Sequence, residues 1–165
     1  RQRPPNAPIR KRAGKITGLI QRKNMPIEQV LADSGFFIGL FDTADRHHKR
    51  CMTFLQAFHG RLVTTWQVIT ESLALLDLQG QEKCLTWLQR GVSAGLLKIE
   101  CTDPADLGRA IELTKKYRDQ PMDFADASIY LLALSSGVNK VASVDVRDFG
   151  VYRLPAKRRF VNVLL

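Results

Sequence analysis

The stretch PMDFADASIYLLALSSGVNKVASVDVRDFGVYR, residues 121–153, contains two apolar runs bordered by acids. Residues 123–137 have the length and composition of a buried helix, and Gly137 provides a stop signal. Residues 139–145 form a short apolar run typical of a buried strand. A helix that leads directly into such a strand is the building unit of a parallel sheet.

The rest of the chain repeats this alternation of short strands and helices. Apolar runs that predict further strands lie at 29–33, 61–65, 96–100 and 159–164. Helical patterns separate them, in a segment beginning with FFIGLF and at 45–60, 66–78, 82–95 and from Asp103–Pro104 onward. This order predicts an α/β fold, a three-layer α/β/α sandwich with a mostly parallel sheet.

Size and composition indicate one globular domain. The chain has 165 residues, of which 45% are hydrophobic, enough for a single core. No apolar run approaches the roughly 18 residues of a membrane span. The basic start lacks the apolar segment of a secretory signal. The three cysteines, Cys51, Cys84 and Cys101, have no metal-ligand spacing, so we expect reduced thiols and a cytoplasmic protein.

The net charge of +9 is unevenly distributed along the chain. Residues 1–27 contain eight basic residues and no acid, whereas residues 28–149 contain thirteen basic and sixteen acidic residues. The last sixteen residues add four basic residues and no acid. We therefore expect a basic, flexible leader at 1–27, followed by a slightly acidic domain at 28–165.

Several acids fall where the predicted strands end. Asp33 ends the first strand, Asp145 ends the fourth, and Glu71 lies in the helix after the second. The helix that carries Asp126 begins over the same edge, where ligands of open α/β sheets bind. An ionised carboxylate on a helix as apolar as that of Asp126 is costly unless it is paired or binds a metal. Clustered carboxylates favour Mg²⁺, or Mn²⁺ in its place, whereas Asp123 fits a helix cap.

The segments VLADSGFFIGLFD, LVTTWQVITESLALL and the stretch quoted first resemble the PIN domain family, in particular the VapC-type toxins of toxin–antitoxin systems. The resemblance extends from about Gln29 to Arg153. It implies a metal-dependent endoribonuclease that hydrolyses RNA phosphodiester bonds. It further implies a homodimer and an antitoxin partner.

The resemblance also implies roles for individual acids. Asp33 and Asp126 match the main Mg²⁺ ligands of the family. Glu71 and Asp145 match the acids that complete the pocket, directly or through water. Asp148 matches an accessory ligand, and Asp123 lies outside the family's set.

The same pattern leaves one other function open and argues against two more. A non-catalytic RNA-binding or protein-interaction module on a PIN-like fold remains an alternative, since fold does not determine function. A receiver domain would need an acceptor Asp after a central strand, and the strand at 96–100 has none at its carboxyl end. A haloacid-type phosphatase would need a second acid two positions after Asp33, where this sequence has Gly35. We interpret Trp66, Trp87 and the phenylalanines as packing residues rather than base-stacking platforms.

Overall fold

The computed structural model describes residues 27–120 and 122–165, so residues 1–26 of the expected leader lie outside the described part. The α/β prediction is confirmed. The strands are β1 Gln29–Ala32, β2 Arg61–Thr65, β3 Leu97–Glu100, β4 Lys140–Ala142 and β5 Val161–Asn162. The helices are α1 Ser34–Phe41, α2 His48–Ala57, α3 Trp66–Leu75, α4 Leu78–Ser93, α5 Leu107–Lys116, α6 Phe124–Ser136 and α7 Val146–Val151. Short 3₁₀ turns span Pro104–Asp106 and Pro155–Lys157.

The five strands form one parallel sheet in the order β3-β2-β1-β4-β5. At its centre Leu31 pairs with Val63 on one side and Val141 on the other, and all three side chains are buried. α1 packs against α2, α3 and α4, while α5 packs against α6. Because parallel crossovers are right-handed, these two groups of helices cover opposite faces of the sheet.

Helix α6 is buried along most of its length and contacts α3, α5 and β2. Gly137 ends it as predicted, with a φ of 74° and a backbone N–H that donates to the carbonyl of Ala133. A residue with a side chain is strained at that φ, which explains the use of glycine at the end of this helix.

Several element boundaries differ from the sequence predictions, and three of the differences have a clear local cause. β4 ends at Ala142, so Asp145 lies outside the strand and caps α7, a six-residue helix that the pattern did not predict. α4 begins at Leu78 because the carboxylate of Asp77 accepts a hydrogen bond from the backbone N–H of Gly80 at 2.7 Å. The helix expected from Asp103 starts as a 3₁₀ turn before α5. Short segments of this kind depend on capping contacts that periodicity does not reveal.

Candidate active site

Asp33 lies directly after β1, beside the end of the neighbouring strand β4. Only 5% of Asp33 is exposed, and its Oδ2 accepts a hydrogen bond from Ser143 Oγ at 2.9 Å. Burial raises the pKa of Asp33 to about 6, and the bond from Ser143 opposes that rise. The pairing of β1 with β4 thus brings together residues 110 positions apart.

Asp126 lies in the first turn of α6, next to a fully buried tyrosine. The hydroxyl of Tyr152 donates to Asp126 Oδ2 at 2.9 Å. Burial, followed by the charges of Asp33 and Asp123, raises the pKa of Asp126 to about 8. Asp126 therefore holds a proton near neutral pH when no cation is present.

Glu71 lies on α3 and approaches the same edge of the sheet. Burial raises its pKa to about 7, and the charges of Asp123 and Asp33 add to that rise. Asp123 is the N-cap of α6, as predicted, because its Oδ1 accepts from the backbone N–H of Asp126 at 2.8 Å. The charge of Asp123 thus raises the pKa of Asp33, Glu71 and Asp126, which places the four carboxylates near one another at this edge.

Asp145 and Asp148 lie at the start of α7, on the flank of this group. The carboxylate of Asp145 accepts from the backbone N–H of Asp148 at 2.9 Å, and Asp145 is exposed. Asp148 is half-buried and accepts a hydrogen bond from Gln120 Nε2. Burial raises the pKa of Asp148, and the charge of Asp148 in turn raises that of Asp126. Of the two residues, Asp148 is thus the one whose charge reaches Asp126.

Comparison with known families places the chain in one of them. The family model of the PIN domain matches residues 30–153. The chain belongs to the PIN domain family. Its fold is similar to the crystal structure of VapC20 from Mycobacterium tuberculosis, a sarcin–ricin loop cleaving toxin, with a TM-score of 0.65. The match has 14% identity and covers 79% of this chain and 98% of that one. No curated protein matched the chain.

The PIN domain brings together three of the four acids that the family resemblance singles out. The charge of Asp33 raises the pKa of Glu71 and of Asp126, whereas the charge of Asp145 acts on Asp148. Asp123 takes the fourth place in the group, although the sequence indicated only a cap or an outer residue. Its spacing of three residues before Asp126, one helical turn, is the sequence signal for this proximity.

The donor chemistry of the group suits a hard divalent cation, because carboxylate oxygens are the ligands that Mg²⁺ and Mn²⁺ prefer. As placed, however, the described residues include no group of three or more His, Cys, Asp or Glu side chains closed around a point that could hold an ion. One oxygen of Asp33 is engaged by Ser143, and one oxygen of Asp126 by Tyr152. Binding of a cation therefore requires side-chain adjustments.

The packing interpretation of the aromatic residues holds for Trp87 and fails for Trp66. The ring of Trp87 meets those of Phe37 and Phe41 at centroid distances of 6.2 and 6.0 Å. Trp66 is 51% exposed, and Phe124 is 44% exposed. Neither belongs to an aromatic pair within residues 27–120 and 122–165.

In the described part of the PIN domain, no helix combines the length and the apolar character needed to cross a bilayer.

Proposed function

We propose that this PIN domain is a metal-dependent endoribonuclease that hydrolyses RNA phosphodiester bonds at the group around Asp33, Glu71 and Asp126. The observation that carries the proposal is the convergence of these acids from separate parts of the chain: the charge of Asp33 raises the pKa of both Glu71 and Asp126, and the charge of Asp123 raises the pKa of all three. Such a group is costly in the protein alone and favourable once a cation compensates its charge. Membership of the PIN domain family supports the same reaction.

Asp33 and Asp126 would hold the cation, and Glu71 and Asp145 would complete its surroundings, directly or through water. Asp148 would serve as an accessory ligand. When bound, Mg²⁺ or Mn²⁺ supplies positive charge at the phosphate and a water of lowered pKa. Metal binding displaces the protons held by the raised-pKa acids, so affinity rises with pH.

Hydrogen bonds from two hydroxyl groups orient the carboxylates of Asp33 and Asp126. Ser143 fixes the orientation of Asp33, and Tyr152 fixes that of Asp126. Groups that orient metal ligands in this way commonly change metal affinity or activity by 10- to 100-fold when removed. The hydroxyl groups of Ser143 and Tyr152 therefore belong to the proposed catalytic machinery as positioning groups.

We further propose that the domain is the toxin of a cytoplasmic toxin–antitoxin pair and forms a homodimer. The support is the similarity in fold to VapC20, which is itself a toxin that cleaves the sarcin–ricin loop. An antitoxin that covers the site would keep the nuclease inactive until it is removed. The acids act on the phosphate backbone, which all RNA shares. The choice of RNA target therefore depends on the pocket around the acids.

The test is cleavage of RNA by purified protein, freed of bound partners by denaturation and refolding, in Mg²⁺, Mn²⁺ or EDTA. We expect cleavage with either metal and none in EDTA. Asp126→Asn should lower the rate by more than about 100-fold, the upper end of what loss of an orienting partner costs. Asp106→Asn is the matched control, because Asp106 pairs with Arg109 on the surface.

Two results would separate nuclease from binding module. If refolded wild type cuts no RNA in any metal while it and Asp126→Asn bind RNA equally, the acids are structural and the domain is a non-catalytic module. If cleavage persists in Asp126→Asn, the activity belongs to a contaminant or to another site.

A further inference from the structure

Two helices that border the acidic group begin with an exposed aromatic residue. Trp66 is the first residue of α3, after its N-cap Thr65, and Phe124 is the first residue of α6, after its N-cap Asp123. About half of each side chain faces solvent. Large exposed apolar groups of this kind, placed together, indicate a binding surface.

The two rings line one cavity of about 530 Å³. Its walls come from α3 and α6, and are formed by Trp66, Gln67, Thr70, Ala74, Phe124 and Ala125. The carboxyl-bearing residues Glu71 and Asp123 also line it. The cavity is therefore continuous with the proposed catalytic site, and an occupant would lie beside the reacting phosphate.

The chemistry of the cavity restricts its occupant. Glu71 and Asp123 disfavour an anion inside the cavity itself, whereas the rings offer flat apolar faces. A nucleobase is uncharged and flat, and the ribose joins it to a phosphate, so the base can stack on a ring while the phosphate meets a cation held by the acids. A second copy of the chain seated here would bury both carboxylates and close the site.

We propose that Trp66 and Phe124 form a base-binding pocket that holds an unpaired nucleobase of the RNA beside the phosphate to be cleaved. The inference rests on the proposed nuclease function. A base held there has to be unpaired, since a paired base cannot present its face to a side chain. Trp66 and Phe124 are then specificity-determining residues.

Binding of RNA without cleavage tests the pocket directly. We would measure Kd in Mg²⁺ with Asp126→Asn protein and two heptamers of equal charge, one of oligouridine and one of abasic ribose phosphate. The base-bearing heptamer should bind more tightly, and Trp66→Leu should remove about tenfold of that preference. Trp66→Phe keeps an aromatic face and should retain most of it.

Leu85→Ala is the control, because Leu85 has the same 51% exposure as Trp66 but lies on α4, away from the cavity. It should leave both affinities unchanged. Tryptophan fluorescence provides a second readout: in a Trp87→Phe background Trp66 is the remaining tryptophan. Its emission should be quenched by the oligouridine and not by the abasic heptamer.

Any of three results would contradict the base-binding proposal. The first is equal binding of the two heptamers, and the second is an unchanged preference in Trp66→Leu. The third is that Trp66→Leu dissociates a dimer without any change in RNA binding. The last result would assign the rings to an interface between copies. Failure of the nuclease proposal is recognised separately, by the absence of metal-dependent cleavage in wild type.

Discussion

Tyr152 is fully buried, and its hydroxyl donates to Asp126 Oδ2, so a single atom connects the aromatic core to the proposed metal site. Its ring packs against those of Tyr117 and Phe149, which holds the hydroxyl in place. Burial and the nearby charge of Asp126 raise the pKa of Tyr152, which keeps the hydroxyl protonated as a donor.

Tyr152→Phe should weaken binding of Mn²⁺ by about 10- to 100-fold, because Asp126 loses the group that orients it. The hydrogen bond from Tyr152 lowers the pKa of Asp126, so its loss raises that pKa further. The acid limb of the pH–rate profile should therefore move to higher pH. Calorimetric titration with Mn²⁺ and rates between pH 5 and 9 measure the two effects.

Tyr130→Phe is the matched control, since the hydroxyl of Tyr130 donates to the backbone carbonyl of Arg153 rather than to an acid. It should leave metal affinity and the pH profile unchanged. Equal effects of the two substitutions would mean that the tyrosines act through packing alone.

Single residues also show where sequence reasoning was insufficient. The apolar composition of α6 predicted a buried helix and drew attention to Asp126, because a carboxylate in such surroundings is costly. The composition of α3 did not reveal that Trp66 faces solvent, since the first residue of a helix is oriented by its cap and by the element before it. The direction of that side chain depends on tertiary packing.

At the scale of elements, α7 shows how a short helix can be held at a strand end. Asp145 caps it, and the backbone N–H of Asp145 donates to Ser143 Oγ at 3.0 Å. The pattern of residues 139–145 extended the strand through Asp145, because Val144 continues the apolar run. The order of strands and helices was predictable from periodicity. The early end of β4 and the role of Asp145 as a helix cap were not, because they depend on a side-chain hydrogen bond.

Asp145 therefore has a structural role that can be separated from its proposed catalytic one. Asp145→Ala should lower the free energy of unfolding by about 1 kcal/mol, because the helix loses its cap. Asp145→Asn keeps a capping oxygen and should cost much less. Denaturant unfolding of both variants measures the difference.

Cleavage by the same pair of variants tests the site. If Asp145 helps to hold the cation, Asp145→Asn should lose activity while it keeps its stability. Full activity in Asp145→Asn would restrict Asp145 to capping, and the metal site would then depend on Asp33, Glu71, Asp126 and Asp123.

For the whole molecule, the raised pKa values connect stability to pH. The pKa of Asp33 rises from 3.8 to about 6, and that of Asp126 from 3.8 to about 8. The folded state binds these protons more tightly than the unfolded chain does. Their contribution to stability is therefore complete below about pH 4 and is lost as pH rises through 6 and 8.

We expect the Tm of metal-free protein to fall between pH 4 and pH 8, with Asp33 alone accounting for about 3 kcal/mol of lost stability. Millimolar Mg²⁺ should raise the Tm more at pH 8 than at pH 5, since the ion replaces protons that the acids have released. Thermal unfolding in EDTA and in Mg²⁺ measures both trends.

Asp33→Asn should make the metal-free profile shallower, because an amide does not titrate, while Asp126 accounts for the slope that remains. The interpretation fails if wild type and Asp33→Asn lose stability equally over this range. It also fails if Mg²⁺ stabilises the protein as much at pH 5 as at pH 8.

The hydroxyl of Ser143 limits which sequences can keep this site. It donates to Asp33 and accepts from the N–H of Asp145, and its side chain is fully buried. Threonine alone among the other small residues offers the same oxygen, while alanine or valine leaves a carboxylate and a backbone N–H unpaired. Position 143 is thus restricted to serine or threonine for as long as a lineage keeps Asp33 and the cap of α7.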